Sequence, residues 1–279
     1  MKKLVFGLIA TVVFGFVGNA QDSVSNKSNS IENLYASNEI STSFSESNSN
    51  LVPNKVAWPR WRWLTIAGAD IIGAGTGVWA VKEIGAAFGT FTGGVGTTIV
   101  YAGAAIICGA GASHAASKGV PKKNSYKTDA EIKGAPIDNI GQLHNLMLEN
   151  CYFGETDKIE FLKKYFDSCS IELLLSNKDF NKINENILEL SNQYSSSDYN
   201  INEYIDGLYN VKYMSSEMKT FYVELFKALD SAENYDEAQN VILKFEENLN
   251  NSKYDDFTKL CLSSSLNTAK NSFPYWYEQ

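Results

Sequence analysis

Leu64 to Val81 reads LTIAGADIIGAGTGVWAV, and Ile84 to Ser113 reads IGAAFGTFTGGVGTTIVYAGAAIICGAGAS. Only Lys82-Glu83 separates the two runs, and their one internal charge is Asp70. As continuous helices rising ~1.5 Å per residue they would extend roughly 27 and 45 Å, against ~30 Å of bilayer hydrocarbon. Both are long enough to cross. The charge pair Lys82-Glu83 marks a tight turn, so the pattern predicts a helical hairpin over 58–119.

Glycine shapes that hairpin. Fifteen of the thirty residues from 84 to 113 are Gly or Ala, and each interior glycine costs a helix about 1 kcal/mol relative to alanine. The cluster Gly93-Gly94-Val95-Gly96 is the expected break, leaving helices near 84–92 and 97–112. Gly85, Gly89 and Gly93 recur at intervals of four, as do Gly73 and Gly77. This spacing cuts a smooth groove along one helix face, where backbones approach closely, as in membrane helix pairs. Just upstream, Trp58-Pro59-Arg60-Trp61-Arg62-Trp63 crowds three tryptophans and two arginines together. Indole and guanidinium both suit a membrane–water boundary, and equally the rim of a small soluble core. Trp58, Trp61, Trp63, Gly73, Gly77, Gly85, Gly89 and Gly93 are therefore the candidate residues for membrane or self-association.

The segment from Trp61 to Gly119 resembles the glycine-zipper segments of bacterial pore-forming and bacteriocin-type peptides, and the whole architecture resembles exported bacterial proteins. The resemblance implies association with a membrane or with copies of the same chain. A Sec-type signal stands here in place of the short double-glycine leader of such precursors, and some 155 further residues follow.

That signal is Met1-Lys2-Lys3, the apolar run Leu4 to Val17, then Gly18-Asn19-Ala20. A basic start, a short apolar run and a small-residue site make a cleaved signal peptide over 1–20. The product is expected in the periplasm, at the cell surface or outside the cell. Residues 21–57, crowded with Ser and Asn, bury too little apolar surface to offset ordering entropy and read as a disordered linker. A polar connector, 120–136, precedes an acidic domain, 137–279.

Charge is uneven along the chain. The total is 24 basic and 32 acidic residues, but residues 1–124 carry +4 and residues 125–279 carry −12. The acidic half would repel phosphates, which excludes a nucleic-acid binder. Within it, apolar residues fall at helical spacing: Ile140, Leu143, Met147; Ile159, Leu162, Phe166; Phe180, Ile183, Ile187; Met218, Phe221, Leu225; Val241, Phe245, Leu249; and Tyr254, Phe257, Leu260, a stripe broken by Ser263-Ser264-Ser265. The fold class is therefore all-α, with six or seven helices in this domain. Thr156-Asp157 and Ser215-Ser216 supply caps, and Phe273-Pro274-Tyr275-Trp276-Tyr277 is too aromatic for a free tail and should dock.

Catalytic chemistry finds little support. The only histidines are His114 and His144. His144 and Cys151 share a helix face but stand about two turns, ~10 Å, apart, too far for a thiolate–imidazole dyad; a buried histidine bonded to a neighbour is the plainer reading. Cys108, Cys151, Cys169 and Cys261 form no C-x-x-C pair, so at most one disulfide is expected, among the last three. The acidic pairs Asp236-Glu237, Glu246-Glu247 and Asp255-Asp256 lack calcium-loop spacing, and Gly89 to Gly96 lacks a phosphate-loop ending. Neither a cofactor nor a metal is expected, and a protein partner is unspecified. Asp70 needs a partner or water; it is read as facing solvent or capping a turn, and otherwise as lining a pore or holding an ion. The leading expectation is an exported, non-enzymatic protein whose hairpin meets membrane or itself. The alternative is a wholly soluble secreted binding or structural protein with the hairpin buried against the C-terminal helices.

Overall fold

The computed structural model describes residues 60–84, 95–118, 132, 136–196 and 200–277, all within the compact unit Pro53–Gln279. The signal peptide, the linker, Trp58, Gly85, Gly89 and Gly93 lie outside the described residues, as does all but the first residue of the helix expected over 84–92. Among the described residues there are ten α-helices and no strand, so the fold is all-α.

The first apolar run forms α1, Arg60–Ile84, and the second α2, Val95–Ala116. Helix α1 continues through Lys82-Glu83, so the expected turn is not there. The connection spans residues 85–94. The two helices pack antiparallel, since Gly73 lies against Cys108 and Ala112 while Gly77 lies against Ala104 and Cys108. A Cβ on Gly73 would come within 2.8 Å of the Ala112 methyl and the Cys108 carbonyl, and one on Gly77 within 2.5 Å of the Ala104 carbonyl. Gly73 and Gly77 thus let the two backbones approach closely, and the face they meet is α2 of the same chain.

Eight further helices follow: α3 (Ile140–Met147), α4 (Lys158–Tyr165), α5 (Ser168–Ser176), α6 (Lys178–Ser196), α7 (Ile201–Asn210), α8 (Ser216–Ser231), α9 (Tyr235–Asn251) and α10 (Asp256–Tyr277). That is eight where the spacing predicts six or seven; α5 and α7 carry no recognised stripe. A 3-10 turn, Pro136–Asn139, leads into α3, and a π turn, Leu148–Tyr152, leads out of it. Polar caps punctuate this region. The side chains of Asp157, Asp167, Asn177, Asn200, Ser215, Asn234 and Asp255 each accept from backbone N–H groups at the start of the following helix. Helix α7 ends with Lys212 at φ 64°, with Tyr213 N donating to the Leu208 carbonyl and Lys212 N to that of Tyr209, a Schellman closure carried by a non-glycine residue.

The hairpin is the centre of the molecule. Helix α10 runs along α1, α6 packs on both hairpin helices, and α3 and α5 cover α2. Residues of α1 and α2 share one hydrophobic core with those of α3 to α10, so hairpin 58–119 and domain 137–279 merge in a single core. This explains why α1 and α2 are apolar all round: a helix covered on every side has no water-facing stripe. The outer helices have one. Helix α8 turns Met218, Phe221, Tyr222, Leu225, Phe226 and Leu229 inward.

Helix α10 also corrects the expected interruption at Ser263-Ser264-Ser265, through which it runs unbroken. Ser264 and Ser265 donate back to the carbonyls of Leu260 and Cys261, which satisfies their hydroxyls inside a helix. The C-terminal aromatics dock: Phe273, Tyr275 and Trp276 are buried, and Trp63 meets Phe273 edge-on at 5.0 Å.

Candidate functional site

A carboxylate one turn before Gly73 is the centre of the most elaborate polar cluster. Asp70 has no exposed surface, so the expectation that it faces solvent or caps a turn is overturned. An ionised carboxylate in such surroundings must be solvated by the protein. Two donors come from α10, where Ser272 Oγ and Trp276 Nε1 stand one turn apart and both donate to Asp70 Oδ2, the indole at 2.9 Å. The third group comes from α3: His144 Nε2 stands 3.6 Å from Asp70 Oδ1, with both side chains fully buried.

Asn145, the next residue along α3, orients the imidazole. Asn145 Nδ2 donates to the Asn271 carbonyl at 2.9 Å, which turns Asn145 Oδ1 toward His144 Nδ1, also 2.9 Å away. With an amide oxygen opposite it, Nδ1 carries a hydrogen. His144 Nε2 and Asp70 Oδ1 face each other across 3.6 Å with no hydrogen bond between them. The α3 N-terminus is tied to α10 as well. Its own N-cap residue, Asn139, makes no side-chain capping bond; Asn267 of α10 accepts from Gly141 N at 2.9 Å. Beyond the node, Tyr275 donates to Glu149 at 2.8 Å, and burial pushes the Tyr275 phenol up.

Chemically, this cluster fastens three elements rather than presenting a reactive atom. The serine donates to the carboxylate and not to the histidine, and Asp70, His144, Asn145, Ser272 and Trp276 are all buried. Cys151 sits apart, on the π turn, its thiol pushed up to about 11 by burial, with Lys158 partly opposing that shift; a thiol that stays protonated is a poor nucleophile. All four cysteines are free. His114 lies 5.0 Å from the Tyr152 ring and is held below the usual histidine range by burial, then by Lys118 and Lys158. Among the described residues no three His, Cys, Asp or Glu side chains converge as metal ligands would.

The residues singled out from sequence fare differently. Trp63 is buried against α10, and Gly73 and Gly77 face α2. Trp61 lies in α1, and its side chain is not among those described. Ser272 and Asn145 escaped the sequence reading, and so did the link of Trp276 and His144 to Asp70. Ser272 and Trp276 at i and i+4 were a signal of a shared polar face, but nothing local linked that face to Asp70, 202 and 206 positions away.

Fold and node together define a class, an all-α protein built round a central apolar hairpin and closed by a buried polar cluster. No family model matches the chain, and neither a curated protein nor a solved structure is significantly similar to it.

Proposed function

We propose that this is an exported, non-enzymatic protein that carries a membrane-competent helical hairpin, stored in water inside a sheath of acidic amphipathic helices. One observation carries the reading. Two consecutive helices contain spans, Trp63–Lys82 and Thr97–Ala116, long and apolar enough to cross a bilayer, and these spans are 89% and 83% buried in a side-by-side hairpin. The signal-like N-terminus, Met1 to Ala20, supports a location in the periplasm, at the cell surface or outside the cell. The −12 charge of residues 125–279 keeps the sheath soluble and away from nucleic acid. The role needs no cofactor.

A second reading has its own support. Gly73 and Gly77 are filled by α2, and this close packing suits a hairpin that is the permanent core of a soluble binding or structural protein. Protease protection separates the two. The mature chain is warmed stepwise through its unfolding transition with vesicles of phosphatidylcholine and phosphatidylglycerol, floated and digested. A lipid-protected fragment spanning residues 60–116 is expected. Flotation without that fragment, or none at any temperature, selects the second reading.

A further inference from the structure

We propose that the Asp70 node is the latch that keeps the hairpin in its sheath, an inference that rests on the membrane-competent reading above. A conformational change needs contacts that differ between its two states, and Asp70 supplies them in both. It is the eleventh residue of α1 and falls inside the span Trp63–Lys82. In the stored state its carboxylate has Ser272 and Trp276 of α10 on one oxygen and His144 of α3 on the other. Departure of the hairpin removes all three groups together and carries the same carboxylate into hydrocarbon, where charge is strongly disfavoured. One side chain therefore both stabilises the closed form and opposes the inserted one.

The supporting residues fit a latch better than general packing. Ser272, Trp276, Asn271 and Asn267 lie within one short stretch of α10, and His144 and Asn145 are adjacent on α3. The links from Asn145 to the Asn271 carbonyl and from Asn267 to Gly141 N join those two helices. The jaws are thus bonded to each other as well as to Asp70. The grip on Oδ1 is loose: His144 at 3.6 Å leaves Asp70 Oδ1 and His144 Nε2 without a hydrogen bond, whereas Oδ2 is held closely. Release is accordingly controlled from the α10 side.

The test is flotation of the full mature chain with the same vesicles, read beside the thermal midpoint of each variant. Asp70→Asn keeps a carbonyl oxygen for Ser272 and Trp276 but discards the charge, and its lipid-bound fraction at a fixed temperature below the midpoint is expected to rise roughly tenfold. Ser272→Ala weakens the α10 grip with little change in volume, and a rise of about threefold is expected; it serves alone if Asp70→Asn does not fold. Bound fractions equal to wild type in the folded variants, whatever their midpoints, overturn the latch while leaving the hairpin's membrane role standing. A wild-type chain that never floats, even through its unfolding transition, overturns both.

Discussion

Asp70 shows how little a single residue's neighbours say about its surroundings. Its flanks, Gly68-Ala69 and Ile71-Ile72, announce a carboxylate in an apolar stretch and the need for a partner, but solvent was the cheapest partner in view. The actual partners come from α3 and α10, and only folding brings them near. His144 was read as a buried imidazole bonded to a neighbour, and Asn145 is that neighbour; a contact between adjacent residues was legible, the one to Asp70 was not. Lys212 makes the converse case. Its left-handed backbone, φ 64°, closes α7 where glycine is the usual residue. Replacing Lys212 with glycine is expected to relieve that strain and raise stability by about 1 kcal/mol, read as a higher urea midpoint with an unchanged denaturant slope.

Most of the helices were legible from their apolar periodicity. Stripes over 180–194, 218–229 and 238–249 match α6, α8 and α9, and the cap candidates Asp157 and Ser215 act as caps. Helices α5 and α7, nine and ten residues long, went unread, although α7 carries Ile201, Tyr204, Ile205 and Leu208 at helical spacing. The serines at 263–265 looked like a break because serine favours helix ends; within α10 they bond back to carbonyls of the preceding turn. Helix α3 depends on another element for its cap. Asn267→Ala would strip the acceptor from Gly141 N, and a loss of about 1 kcal/mol is expected, with faster amide exchange confined to the first turn of α3. Exchange unchanged there would show that the bond is not formed in solution. Surface ion pairs join neighbouring helices, as between Lys163 and Glu172 and between Lys270 and Glu246; exposed pairs of this kind contribute little.

For the whole molecule, the decisive fact is that the two most apolar helices sit where the acidic ones can cover them. A common core couples the hairpin to the helices around it, so urea unfolding is expected to be one transition, with far-ultraviolet and near-ultraviolet circular dichroism coincident. Two separated transitions would mean that the hairpin and sheath are independent bodies. The sequence by itself determined the helical class, the caps at Asp157 and Ser215, the two span-length apolar runs and the uneven charge, because these follow from local periodicity, side-chain chemistry and composition. Tertiary structure alone decided that the glycine grooves of α1 meet α2 of the same chain, that the apolar runs are wrapped rather than bare, and that Asp70 is held by groups far along the chain. Such pairings depend on which helix faces which. A period of 3.6 residues shows that a helix has an apolar face, and two wholly apolar helices do not even show which face is which.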